Sequence, residues 1–353
     1  MAPLRAKGVV IGGRPVGDGH PCFVIAEAGS NHNGSLDQAR RLIDVAAEAA
    51  ADAVKFQLFR ARTLYARGAG QTAYLKLPRS IYEIIGELEM PYEWLPRLAE
   101  HARERDIVFL ASVFDEETAD ELDPLVEAFK IASYEMTHLP LVGHLARKGK
   151  PLIISTGTAS LDEVRETVQH VRDHGDPALA IMQCTAAYPA PLEALNLRAI
   201  TTMKTAFGVP VGLSDHSRDP LVAPMAAVAL GADLLEKHFT LSNQLPGPDH
   251  AYALEPRELK RMVAKVREVE DALGTGEKRV QPIEEELRRF ARRAIYAARA
   301  IAPGEPFTRE NVAVLRSGEL EVGLPPKAYE SLLGRRAAHG IAAEAPITAA
   351  DCE

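Results

Sequence analysis

Two histidines stand where catalysis would want them. His216 lies in GLSDHS and His238 in EKHFT. Each closes a short apolar run, VPVGL in one case and ADLLE in the other. One histidine at a strand end is ordinarily a solvated or internally satisfied side chain. Two on consecutive strands are different, because neighbouring strands lie about 4.8 Å apart. Such a pair can share one divalent metal of the Mn, Fe, Co or Zn kind. Two imidazoles with no third strong protein ligand leave positions open for water and substrate, as a Lewis-acid site needs.

Other strand ends carry complementary groups. Lys55 sits inside AVKFQLF and Lys130 inside AFKIAS, both unusual places for a solvated lysine. Residues two apart on a strand share a face, so Gln57 points with Lys55. Taken singly, each lysine reads as a snorkelling side chain. Converging, they form a cationic pocket. The hydroxyls of Ser133, Ser155, Thr156 and Ser214 and loop N–H groups would complete a cradle for phosphate or carboxylate. Glu27, ending FVIAEAG, neighbours the last strand if the sheet closes, and could work on a water or a substrate hydroxyl. Lys237 has the opposite parity to His238 and is left out, and Cys184 reads as a buried core thiol.

These groups need a scaffold that brings strand ends together. Eight apolar, β-rich runs alternate with amphipathic helical stretches through the first part of the chain. They run from FVIAEAG to ADLLEKHFT, with a long insertion from Arg60 to Pro91. Continuous apolar strands suit a parallel sheet covered on both faces. Eight such units match the size of a (β/α)8 TIM barrel, whose active site lies at the C-terminal ends of its strands. The other candidate is a doubly wound open sheet, but no Gly-rich dinucleotide fingerprint follows the first strand.

The totals narrow the function. The chain has 353 residues and a formal net charge of -8. That charge argues against a general nucleic-acid or acidic-membrane binder. Three cysteines without metal spacing imply a reducing compartment and no disulfide framework. No apolar stretch resembles a signal peptide or a bilayer span, so a cytoplasmic protein is expected.

Beyond about residue 280 the pattern changes. AARAIAPGEPFT at 297–308 is echoed by AAHGIAAEAPIT at 337–348, sharing Ile301/Ile341, Pro306/Pro346 and Thr308/Thr348. Two hairpin-like pieces in a small pseudo-symmetric β-rich domain are expected. The expected division is a catalytic barrel over 1–280, a linker over 281–292 and the small domain over 293–353.

The ordered motifs IAEAGSNHNGSL, ADAVKFQ, FKIAS, STG, YPAP, GLSDHS, EKHFT and GPDH together resemble the sialic acid synthase family, the bacterial N-acylneuraminate synthases. The likeness covers nearly the whole chain. The C-terminal echo resembles the antifreeze-like (SAF) domain these synthases carry. The resemblance implies a reaction between phosphoenolpyruvate and an open-chain N-acyl hexosamine. The product would be a nine-carbon 2-keto-3-deoxy sugar acid, with phosphate leaving by C–O cleavage. Lys55, Lys130, Ser133, Ser155 and Ser214 would hold phosphoenolpyruvate. His216 and His238 would bind Mn2+, with Mg2+ or Co2+ as alternatives, to polarise the sugar aldehyde. Glu27 would act on the attacking water or the intermediate. Gln57, Tyr188 and Asp249 would contact the sugar. Arg316, in AVLRSG, would reach the N-acyl group across a domain-swapped homodimer.

One position departs from the family. Where many members carry Asn after the sixth strand, this chain reads CTAAYP, with Ala186. The family covers N-acetylneuraminic, legionaminic and pseudaminic acids and spore-coat sugars, and the acceptor stays open among them. Two readings of other classes also stand: a metal-dependent barrel hydrolase and a non-catalytic sugar-binding protein. The paired lysines have less purpose in the first, and the full set of polar strand ends counts against the second.

Overall fold

A computed structural model describes residues 8–71 and 79–353. The chain forms two compact units that divide between Gly274 and Thr275. In the first, a short hairpin of β1 (Val9–Ile11) and β2 (Arg14–Val16) precedes the barrel. Eight parallel strands follow: β3 (Phe23–Gly29), β4 (Ala53–Leu58), β5 (Val108–Val113), β6 (Phe129–Ile131), β7 (Leu152–Ser155), β8 (Leu179–Cys184), β9 (Val211–Asp215) and β10 (Leu234–His238). They pair in chain order, and β10 closes on β3. The expected (β/α)8 barrel is the fold, and the open sheet is excluded.

The strand sequences explain the layers. In β4, Val54, Phe56 and Leu58 join the apolar shell between strands and helices, while Ala53 joins the barrel interior. Lys55 falls between the first two and so points inward, as its parity requires. The lower interior is apolar and contains Phe23, Ile25, Leu110, Ile153, Met182 and Leu234. Val9, Ile11 and Val16 of the hairpin pack into the same cluster. The sequence reading did not anticipate this hairpin, because three-residue strands carry almost no periodic signal.

Local chemistry starts and stops the helices. Ser35 accepts a hydrogen bond from the Gln38 N–H and caps Leu36–Glu48. Ser160 and Glu163 form a reciprocal capping box before Leu161–Asp173. The insertion after β4 contributes the helix Ile81–Glu87, which opens on a second such box, Ser80 with Glu83. Residues 72–78 of that insertion lie outside the described residues. Among the described residues, no helix is long and apolar enough to cross a membrane.

In the second unit β11 (Arg293–Ala297) pairs antiparallel with β12 (Val312–Arg316). Its core holds Ile295, Ile301, Phe307, Val312, Leu332, Ile341 and Ile347. The internal echo has a structural counterpart. Ile301 and Ile341 exchange both backbone hydrogen bonds at 2.9 Å. The Thr308 N–H donates to Asn311, and the Thr348 N–H donates to Asp351. Gly304 and Glu344, at matching places in the two halves, both have positive φ, 76° and 63°.

Candidate active site

The barrel register assembles the polar strand ends into one buried layer. Glu27 pairs with Lys55 across β3 and β4, and Ser112 pairs with Lys130 across β5 and β6. Ser214 pairs with Glu236 across β9 and β10, and His238 with Glu27 where the barrel closes. All of these side chains are buried.

Two lysines dominate the layer. Lys55 Nζ donates to Ser112 Oγ at 2.9 Å and ion-pairs with Glu27 Oε2 at 2.7 Å. Lys130 Nζ donates to Ser155 Oγ at 2.8 Å. Glu236 stands between them, 3.6 Å from Lys55 and 3.4 Å from Lys130. Ser214 Oγ donates to Glu236 Oε1 at 3.3 Å. Sequence reasoning missed Glu236 as a site residue. The signal was available, since it lies two positions before His238 and so shares its face.

The charges sort by environment. Burial raises Glu27 to about 7, with Lys55 opposing the shift and Glu236 adding to it. Burial pushes Glu236 the same way, yet the ammonium groups of Lys130 and Lys55 outweigh it and hold that carboxyl below its ordinary range. Burial lowers Lys130, while Lys55 is held above its ordinary value against burial by Glu236 and Glu27. Two buried amines therefore face one carboxyl that they hold towards ionisation and a second, Glu27, that burial pushes towards protonation. Glu27 Oε1 and Glu236 Oε2 accept no hydrogen bond, an uncommon state for buried carboxylates and one that a ligand would relieve.

The hydroxyls divide by parity. Ser155 and Ser214 join the layer as described. Ser133 Oγ accepts the Gly157 N–H at 3.0 Å and donates to Cys184 Sγ at 3.3 Å. A Cβ on Gly157 would stand 2.8 Å from Ser133 Oγ and 3.0 Å from Cys184 Sγ, so this close approach needs glycine. Thr156 departs from expectation. Its hydroxyl donates to the Met182 carbonyl at 2.9 Å, because it follows inward-facing Ser155 and turns away. Lys237 also faces away from the layer, as its parity implied, and pairs with Asp215.

His216 and His238 do come together, with ring centroids 5.3 Å apart. His216 Nδ1 faces the Thr185 carbonyl at 3.1 Å and Cys184 Sγ at 3.6 Å. Cys184 is buried as expected, but it is not the inert thiol the sequence suggested, since adjacent β8 and β9 place it against His216. His238 Nδ1 faces the Tyr252 hydroxyl at 3.4 Å and Asp249 Oδ2 at 3.7 Å. Holding Nδ1 in this way leaves the opposite ring nitrogen for a ligand, the usual arrangement around a metal-binding histidine. Burial, reinforced by the charges of His216, Lys55 and Lys130, keeps His238 well below its ordinary value and therefore neutral. Among the described residues no group of three or more His, Cys, Asp or Glu is placed to hold a metal.

Above the layer lies a cavity of about 490 Å3, lined in part by Gln57, Ala186, Tyr188, His238 and Asp249. Three of the expected sugar contacts, Gln57, Tyr188 and Asp249, meet there. Tyr188 packs against His216 with centroids 4.2 Å apart. Glu135, which sequence reasoning passed over, is buried after β6, raised to about 7 by burial, and its Oε2 has no partner. Arg316 lies in the second unit, exposed at the end of β12.

Fold and site define a TIM-type barrel protein with its polar groups at the C-terminal strand ends, where such barrels carry active sites. The chain belongs to the NeuB family, whose model matches residues 42–278, and a SAF domain matches residues 292–353. It is 46% identical over 355 residues to the spore coat polysaccharide biosynthesis protein SpsE of Bacillus subtilis, covering 96% of this chain and 95% of that protein. It is 39% identical over 339 residues to an N,N'-diacetyllegionaminic acid synthase of Legionella pneumophila, covering 94% of each. A solved N-acetylneuraminic acid (sialic acid) synthetase from Leptospira borgpetersenii in complex with citrate superposes with a TM-score of 0.74. It is 32% identical and covers 80% of this chain and 95% of that one.

Proposed function

We propose that this protein is a synthase that condenses phosphoenolpyruvate with an N-acyl hexosamine. A carbon–carbon bond forms between C3 of phosphoenolpyruvate and the aldehyde carbon of the open-chain sugar. Water adds at C2, and the bond from C2 to the phosphate oxygen breaks. The products are a 2-keto-3-deoxy sugar acid of nine carbons and inorganic phosphate. The observation that carries the reading is the pair Lys55 and Lys130 bracketing Glu236, one layer below a cavity that includes His238.

Each group has a task in that chemistry. Lys55 and Lys130, with Ser155, Ser214 and Ser133, bind the phosphate and carboxylate of phosphoenolpyruvate. Glu27, raised to about 7, can take a proton from the attacking water and return it. Gln57, Tyr188 and Asp249 orient the sugar, and Arg316 reaches its N-acyl group within a domain-swapped homodimer. His216 and His238 would hold the divalent metal, Mn2+ with Mg2+ or Co2+ as alternatives, which supplies Lewis acidity to the aldehyde oxygen.

Family membership supports this reading over a barrel hydrolase or a sugar-binding protein. The test is phosphate release from phosphoenolpyruvate by metal-stripped protein, with Mn2+ added back and a panel of N-acyl hexosamines. Release that needs both metal and one sugar supports the synthase. Release without a sugar, or none with any sugar from folded, metal-loaded protein, counts against it.

A further inference from the structure

The residues just ahead of the two histidines make a contact of their own. Asp215 and Lys237 stand opposite each other in the register of β9 and β10. Their side chains have the opposite parity to the polar layer and lie behind it, both buried. Lys237 Nζ ion-pairs with Asp215 Oδ2 at 2.5 Å. It also donates to the Ser217 carbonyl, to Ser217 Oγ at 3.2 Å and to the Asp219 carbonyl at 3.2 Å. The other oxygen of Asp215 accepts the Ser217 N–H at 2.8 Å. One ammonium and one carboxylate thus pin residues 215, 217 and 219, the turn in which His216 stands.

The two histidines need different support. His238 is the last residue of β10, and its pairing with Glu27 of β3 fixes its backbone. His216 lies one residue beyond β9, past the end of the ladder at Asp215. Its carbonyl accepts the Ala190 N–H at 2.9 Å, which tethers the turn on the β8 side. Lys237 tethers it on the β10 side. Stability alone does not account for a buried charge pair here. Two residues earlier on the same face, the paired positions are Leu213 and Leu235, members of the apolar shell. An apolar pair of similar volume would stabilise the protein as well as a buried ion pair, or better. What it lacks is direction. Acceptors on three residues of one turn, gathered around one nitrogen, dictate where that turn lies.

Resting on the proposal that His216 and His238 share a divalent ion, we infer that Lys237 and Asp215 are positioning residues for that pair. Their contact fixes the turn that carries His216 and so sets its ring against that of His238, with centroids 5.3 Å apart. Two imidazoles that share an ion at about 2.1 Å from each nitrogen must be held to within about 0.5 Å. Neither Lys237 nor Asp215 touches the ion or the substrates in this role.

The experiment separates positioning from stability. Lys237→Met alone would leave Asp215 buried without a counter-ion and lower stability. The double variant Asp215→Leu/Lys237→Met removes both charges together, so its urea midpoint should stay near that of wild type. Its affinity for Mn2+, read by electron paramagnetic resonance of the free ion, should still fall by roughly 10- to 100-fold, the scale for groups that orient metal-binding side chains. Asp215→Asn keeps the size of the side chain but must turn its NH2 toward Lys237 or toward the Ser217 N–H. It should weaken Mn2+ binding too, and it serves if the double variant unfolds. Lys204→Met is the control. It breaks a 3.0 Å ion pair with Asp233, which accepts the Val211 N–H at the opposite ends of the same two strands. It should lower the urea midpoint and leave Mn2+ affinity unchanged. Wild-type affinity in the folded double variant or in Asp215→Asn overturns the inference, as does an equal loss in Lys204→Met. Equal affinity in wild type and His216→Ala is a distinct failure, which removes the shared-ion reading and this inference with it.

Discussion

Glu236 Oε2 stands 3.4 Å from Lys130 Nζ at the centre of the barrel, and the other oxygen of the same carboxylate stands 3.6 Å from Lys55. The contact makes two buried lysines tolerable next to one another in the absence of an anion. In the proposed reaction an incoming phosphate would compete with Glu236 for the same two lysines.

Glu236→Ala should therefore cost about 3–5 kcal/mol, the usual penalty for leaving a buried charge unpaired. Urea unfolding measures it. Inorganic phosphate should restore part of the loss in the variant by binding the native state alone. An unchanged urea midpoint would show that Glu236 does not hold the lysines.

Lys55→Ala and Lys130→Ala should each fold and lose about 10²–10³ in phosphate release, the scale for removing one charge-stabilising donor. Circular dichroism establishes folding and a phosphate assay the rate. Wild-type turnover in either variant refutes the assignment.

His216→Ala and His238→Ala should weaken Mn2+ binding by at least tenfold, about 1.4 kcal/mol each. Electron paramagnetic resonance of free Mn2+ reads this without any turnover. Equal affinity in wild type and both variants would place the metal elsewhere.

Glu135 gives a pH signature. Burial raises it from its ordinary 4.5 to about 7, so the folded protein prefers the protonated acid. Its contribution to stability is complete below about pH 4.5. That contribution falls as pH rises and is gone above about 7, a change of about 3 kcal/mol. Glu135→Gln should abolish this part of the pH dependence, so the variant gains on wild type between pH 5 and 8. Parallel denaturation curves for the two proteins across that range would contradict it.

Gly157→Ala forces a Cβ to within 2.8 Å of Ser133 Oγ and 3.0 Å of Cys184 Sγ. About 1–3 kcal/mol of overpacking is expected, together with a rise in KM for phosphoenolpyruvate as Ser133 is displaced. A KM equal to wild type would separate Ser133 from that substrate.

The amino-acid sequence determined the local features. Alternating runs specified eight strand and helix units, and strand parity placed Lys55 and Gln57 on one face and turned Lys237 away. The echo between Ile301 and Ile341 marked a paired core contact in the small unit, because repeated local patterns repeat local backbone. Parity also contained Glu236 and excluded Thr156, but a period of two says only which residues share a face, not which strands' faces meet. The tertiary structure decided what converges. Barrel closure set His238 beside Glu27 in register, and only that closure showed Glu236 to be the counter-ion of two lysines from β4 and β6. It likewise turned Cys184 toward His216 and Ser133, and brought the insertion helix over the cavity. Such contacts depend on distance between residues far apart in the chain, and no local pattern carries that distance.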